Sequence, residues 1–179
     1  MPNHESDSKA EKFLQNLFAL DAGGKAKLKR DAGKSLSEAQ SLGLFYRLLP
    51  PGVSGAQEEI YFLLATLYPL AESGGTGNLG SSLHYARARN PKSRKGLDRR
   101  VEILLDSDTT QLPFRLRQTV RFLKSNNVAV NWQQLLWDLT RWHYASRSVQ
   151  KKWARAYFGL PQTPADEGTT VLIETGTIS

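Results

Sequence analysis

Apolar residues recur along this chain at spacings of three and four, the period that lines one face of an α-helix. Phe13, Leu14, Leu17 and Phe18 form the first stripe, behind a Ser8-Lys-Ala-Glu11 capping signature, and residues 1–7 before it read as disordered. Ser35-Leu-Ser-Glu38 repeats the signature ahead of Ala39, Leu42, Phe45, Leu48 and Leu49, and Pro50-Pro51-Gly52 stops that helix. Gln57 to Tyr68 is apolar on nearly every side, which predicts a helix buried on most sides. The glycine-rich run Ser73 to Gly80 is the clearest breaker.

Beyond it a short helix is expected over Ser82 to Arg89, broken by Asn90-Pro91 because a residue before proline avoids the α region. Leu97, Val101, Leu104 and Leu105 share one face of the next helix. Asp108 caps another, which tolerates Pro113 in its first turn and can carry Phe114, Leu116, Val120 and Leu123 to the core. Asn131 caps a stripe of Trp132, Leu135, Leu136, Leu139 and Trp142, and a last helix runs from about Ser148 to Phe158 with Val149, Trp153, Ala156 and Tyr157 inward. No segment alternates with period two, and Val128-Ala-Val130 is too short for a strand that matters. The fold expected is all-α: an N-terminal bundle over 8–80, a C-terminal bundle over 81–160, no sheet, and a flexible tail over 161–179.

Charge changes this picture more than composition does. The 179 residues carry a formal net charge of +7, and the stretch from Pro161 to Ser179 holds three acids and no Lys or Arg. The rest therefore carries 24 basic and 14 acidic residues, a net +10. Seven of those bases fall between Arg87 and Arg100 against the single acid Asp98. Others cluster at Lys25 to Arg30, at Arg115, Arg117, Arg121 and Lys124, and at Arg147, Lys151, Lys152 and Arg155. Cations dispersed in this way suit a polyanion, of which nucleic acid is the commonest. The competing reading is that they only solvate helix faces.

Chemistry of other kinds finds little support. The absence of cysteine removes disulfides and thiolate zinc sites, and fits a reducing cytoplasm. His4, His84 and His143 lack helical metal-site spacing, so a surface or half-buried packing role is expected for the latter two, and neither metal nor cofactor is expected. Asp106 and Asp108 flank a helix boundary, where caps are made, and Glu58-Glu59 suits the first turn of a helix. Gly74 to Gly80 lacks the Gly-Lys-Ser/Thr ending of a phosphate loop. Trp132, Trp142 and Trp153 lie on core stripes, whereas Trp137 and Tyr144 lie off them and are the better stacking or interface candidates. No run approaches the eighteen or so apolar residues of a membrane span, and no secretory signal is evident. A binding protein is expected, not an enzyme.

Several short motifs occur in an order that resembles one family. They are Phe45-Tyr-Arg-Leu-Leu-Pro50, Gly77-Asn-Leu-Gly80, Arg99-Arg100 before Leu104-Leu-Asp106, Leu112-Pro-Phe-Arg-Leu-Arg117, Trp132 to Leu136 with Asp138, Leu139 and Trp142, and Trp153-Ala-Arg-Ala-Tyr-Phe158. Together they resemble the CasB family, the small subunit of the type I-E CRISPR surveillance complex Cascade. The resemblance implies a non-catalytic subunit built as two helical bundles, present in two copies. Its implied partners are the backbone and large subunits of Cascade, the guide RNA and the target DNA, and its implied role is to hold the displaced strand of an R-loop. The family's groove residues carry over to Lys29, Arg30, Arg99, Arg100, Arg117 and Arg147, and helical neighbourhood adds Lys27, Arg121 and Lys151. A free-standing helical DNA-binding protein and a purely structural assembly scaffold stand as alternatives.

Overall fold

The computed structural model describes residues 4–159. Among them the chain forms nine α-helices: α1 (His4–Phe18), α2 (Ala22–Lys29), α3 (Leu42–Leu48), α4 (Ala56–Leu67), α5 (Leu79–Arg89), α6 (Arg94–Leu105), α7 (Leu112–Ser125), α8 (Trp132–Thr140) and α9 (Ser148–Phe158). Single 3-10 turns lie at Leu36–Glu38, Tyr68–Leu70 and Pro91–Ser93. The fold is all-α, as the periodicity predicts. No helix among the described residues is long and apolar enough to cross a membrane. The tail expected over 161–179 lies outside the described residues, as do residues 1–3.

Helix starts depart from expectation where a capping pattern misleads. The disorder expected for residues 1–7 does not hold for His4 to Asp7, which open α1. Ser8 and Glu11 therefore sit inside a helix, because an i, i+3 spacing is shared by capping boxes and helix faces alike. The Ser35 signature does form: Ser35 N–H donates to Glu38 Oε2 at 3.1 Å. It opens only one 3-10 turn, since buried Asp31 then captures the backbone. Its Oδ2 accepts from the amides of Gln40 and Ser41, both at 2.9 Å, and from Ser41 Oγ at 2.6 Å. Helix α2 is masked in the sequence by Gly23-Gly24 but is capped by Asp21, whose Oδ1 accepts from Gly24 N–H at 2.7 Å. Asn78 starts α5 at Leu79, three residues early, by accepting from Ser81 N–H at 3.1 Å. Asn131 caps α8 as expected, and Asp108 accepts from the amides of Thr110 and Gln111 in the turn that leads into α7.

The helices gather in two groups, α1 to α4 and α5, α6, α7 and α9. Helix α8 belongs by sequence to the second half yet packs on α4 and α1. One continuous apolar core results, running from Ala10 to Tyr157. Helix α4 is its centre, with every residue from Tyr61 to Leu67 buried. The short Val128-Val130 segment contributes after all. Val130 N–H donates to Glu72 O at 2.9 Å in an isolated parallel bridge between Ser73 and Val130. That contact holds the glycine-rich connection against the start of α8, and Gly75 lies so near Ala129 that a Cβ there would stand 2.5 Å from its carbonyl.

Trp132, Trp142 and Trp153 are core residues, as expected. Trp153 Nε1 donates to buried Asp138 Oδ2 at 2.7 Å, and Gln134 Nε2 donates to the other oxygen at 2.9 Å. Burial pushes the Asp138 carboxyl above its ordinary range, against the lowering effect of those two bonds. Trp137, a stacking candidate by sequence, is half-buried against the core with its indole N–H shielded, while Tyr144 is exposed beside His143.

Candidate nucleic-acid interface

Helix α6 organises the candidate site because it packs on α7 along one flank and on α9 along the other. Leu97, Val101, Leu104 and Leu105 face inward, which leaves the charged positions of α6 for its flanks and its outer surface. A groove of about 400 Å³ runs between α6 and α7, with Leu83 of α5 beneath it. Leu97, Val101, Leu104 and Phe122 give it an apolar floor, and Arg100, Arg115 and Arg121 surround it with Gln118 and Thr119. No Asp or Glu lines this groove. Phe114, expected to reach the core, is exposed instead, and Arg115 Cζ lies 5.6 Å from the centre of its ring, extending the aromatic and cationic edge.

The nine expected residues divide among several surroundings. Arg100 and Arg121 line the α6–α7 groove together. Arg99 is exposed but lines neither groove beside α6, because consecutive helical side chains diverge by about 100°. Arg117 turns from the groove toward the N-terminal group of helices. Its stem covers Gly33, which has φ +86°, so closely that a Cβ at Gly33 would lie 2.9 Å from Arg117 Cδ. This contact brings α7 to the turn that follows Lys29 and Arg30, both exposed at the end of α2. Lys27 is exposed in the same last turn of α2, where positive charge also suits the C-terminal end of a helix.

Arg147 and Lys151 line a second groove, between α6 and α9. That groove also contains Glu102 and Asp106, so its charge is mixed. Arg147 Nη2 donates to Asp106 Oδ1 at 2.7 Å and to Leu105 O at 2.8 Å, which commits its guanidinium to closing the end of α6. Arg147 itself sits in the left-handed region, with φ 51°.

The dense Arg87–Arg100 stretch forms the end of α5, one 3-10 turn and the start of α6. Arg87 is spoken for: Nε donates to Asp98 Oδ1 at 2.7 Å and Nη2 donates to Oδ2 at 3.1 Å. The Tyr157 hydroxyl donates to the same Oδ1 at 2.6 Å, so Asp98 ties α5, α6 and α9 together. The Arg87 guanidinium beside it holds the Asp98 carboxyl below its ordinary range, with Tyr157 helping against burial. Burial and the adjoining carboxylate push the Tyr157 phenol up. Arg94 and Lys95 are exposed in the first turn of α6, which itself holds no acid, and Arg94 adds to the charge that lowers Asp98 one turn on.

Arg115, which the sequence places only within a basic cluster and a motif, and Phe122, which it does not mark, are groove residues that the sequence does not assign to the site. With Gln118 and Thr119 they form the i, i+3, i+4, i+7 stripe of α7 that faces the groove, a signal readable once α7 is placed beside α6. Of the other polar residues, Asp106 pairs with Arg147 where a cap is expected, and His143 is exposed. His84 packs, with Nδ1 2.9 Å from Tyr157 O, and Asp108 accepts from the amides of Thr110 and Gln111. No cluster of His, Cys, Asp and Glu among the described residues could hold a metal ion.

These features define a small all-helical protein with an arginine-lined groove. Residues 24–158 match the family model described as CRISPR-associated protein Cse2. The chain belongs to the Cse2 family, which bears out its resemblance to the CasB small subunit. A Cse2 protein of Thermus thermophilus is 34% identical over 103 residues, 58% of each chain, so the match spans little more than half of that relative's length. Among solved structures, a Cse2-family protein from Thermus thermophilus superposes with a TM-score of 0.72 at 26% identity, covering 84% of this chain and 98% of its own. CasB of M. ruber gives 0.69 at 26% identity over 84% and 92%. A chain of a CRISPR RNA-guided surveillance complex gives 0.70 at 21% identity over 85% and 92%, a likeness of fold.

Proposed function

We propose that this chain is a non-catalytic subunit of an RNA-guided surveillance complex and stabilises the R-loop by holding the displaced DNA strand along its basic groove. The observation that carries this reading is the acid-free set Arg100, Arg115 and Arg121 around the α6–α7 groove, in a chain of the Cse2 family. R-loop formation exchanges one duplex for another of similar stability, so backbone contacts to the displaced strand tip the balance without reading sequence. Guanidinium groups on two helices, beside an exposed aromatic ring, suit phosphates and splayed bases. Arg94 and Lys95 point the same way. Positive charge in the first turn of a helix opposes the macrodipole, at about 0.3–1 kcal/mol each, which folding alone does not favour.

Arg100, Arg121, Arg117, Lys29 and Arg30 form the principal track of this reading, joined by Arg115. Arg99 and Lys27 flank it, and Lys151 with Arg147 marks a secondary contact. The partners are the other Cascade subunits, a second copy of the chain, guide RNA and target DNA, within the cytoplasm. Leu42 and Tyr46, exposed one turn apart on α3, suit a protein neighbour in that assembly.

The test is a reconstituted complex carrying Arg100→Glu and Arg121→Glu, followed for R-loop lifetime on supercoiled target DNA. Intact assembly with a shortened lifetime is the expected result. An unchanged lifetime would leave the chain as an assembly scaffold only.

A further inference from the structure

We infer that the acidic, apolar segment Asp166 to Glu174 of this chain docks into its own α6–α7 groove and occupies the surface proposed for the displaced strand. Residues 160–179 contain Asp166, Glu167 and Glu174 around an apolar Val171-Leu-Ile173 core, with no Lys or Arg. The groove is the complement of that pattern: an apolar floor of Leu83, Leu97, Val101 and Leu104, with Arg100, Arg115 and Arg121 above it and no acid. Ile103, part of the groove lining, is 37% exposed and Phe114 is 50% exposed, so this face has apolar surface to cover.

Reach favours the same groove. Gly159 follows Tyr157 by two residues, and Tyr157 is fixed by its hydroxyl to Asp98 and by its carbonyl to His84. Asp98 and His84 are the sequence neighbours of Leu97 and Leu83, both in the groove lining. The segment thus leaves the body from α9, one helix away from the groove. Seven residues from Gly159 to Asp166 extend about 23–25 Å. That exceeds the roughly 10–12 Å breadth of the helix to be rounded. The second groove competes poorly, since Glu102 and Asp106 line it and would repel the segment. Its Arg147 and Lys151 also lie at the far end of α9 from Gly159.

Docking itself needs no nucleic acid, so it can be tested apart from the proposed function. The chain has no cysteine, and Thr170→Cys therefore gives a unique site for a nitroxide spin label on the full-length, methyl-labelled protein. The expected result is strong paramagnetic broadening of the Leu83, Ile103 and Leu104 methyl signals, with Leu14 and Leu64 spared. Asp166→Lys with Glu167→Lys should remove the broadening, and adding Arg100→Glu and Arg121→Glu to that variant should restore it. Broadening that is absent, uniform, or centred on Ala154 in the second groove would overturn the proposal. A second arm measures single-stranded oligonucleotide affinity of the Asp166→Lys/Glu167→Lys chain, which docking at the shared surface predicts to rise several-fold. Intramolecular docking with no change in affinity would retain the dock and overturn the assignment of the strand to this groove.

Discussion

Gly80 of α5 lies directly against the backbone of Trp153 of α9: a Cβ at position 80 would stand 2.8 Å from Trp153 Cα and closer still to its carbonyl oxygen. The close approach lets α5 and α9 pack along their lengths, and through them it sets the position of α6. Gly80→Ala must push the two helices apart. It is expected to destabilise the protein by about 1–3 kcal/mol, measured by urea unfolding. Gly96→Ala, where a Cβ meets nothing nearby on α6, is the matched control and should be neutral or mildly stabilising.

Arg99 and Arg100 are adjacent in sequence but differ in direction, and binding should separate them. Arg100→Glu is expected to weaken single-stranded DNA binding more than Arg99→Glu does. Removing one cation that meets a phosphate should make the slope of log K against log salt shallower by about 0.7, read from anisotropy titrations across a salt series. Helix content by circular dichroism should stay that of the wild type for both, since both side chains are exposed.

Asp98 predicts acid sensitivity. Its carboxyl is held below the ordinary range in the folded state, so the folded protein binds fewer protons there than the unfolded chain. The stabilisation it gives is present above the ordinary carboxylate pKa and disappears as pH falls through the lowered value. Asp98→Asn should lower Tm at neutral pH and flatten the acid limb of the Tm-against-pH curve. Tyr157→Phe, which removes one donor and leaves the Arg87 pair, should give a smaller effect.

Asp138 predicts the opposite slope. Its raised pKa means that the folded state holds the proton more firmly than the unfolded chain, so wild-type stability falls as pH rises through the carboxylate range. Asp138→Asn keeps an acceptor for Trp153 Nε1 and can satisfy Gln134 by an amide rotation. Its stability relative to wild type should therefore be lowest near about pH 3 and increase with rising pH up to a plateau, in paired melts. Asp138→Leu strands the Trp153 donor and should be destabilising at every pH.

Helices are legible in the sequence wherever an apolar stripe runs beside a cap, as at Asn131 and Trp132. They are easily misread where local chemistry is ambiguous. Ser8 and Glu11 have the spacing of a cap but sit on a helix face, and Gly23-Gly24 conceals α2 although Asp21 caps it. The sequence displays the cations but not their surroundings. Nothing local distinguishes Arg87 and Arg147, each engaged by a carboxylate from another helix, from Arg100 and Arg121, which face a groove without acids. That distinction depends on which helices meet, and so does the recruitment of Arg115.

The crossing of α8 from the second half of the chain onto α4 has a bearing on synthesis. Helix α4 presents seven consecutive buried residues, and one of its covers, α8, is translated only after α5, α6 and α7. At ribosomal rates of about 5–20 residues per second, that face waits on the order of 3–13 s for its partner. The nascent N-terminal half thus emerges as a substrate for chaperone capture, and a gene cut between the two helix groups would yield a first fragment that aggregates when made alone.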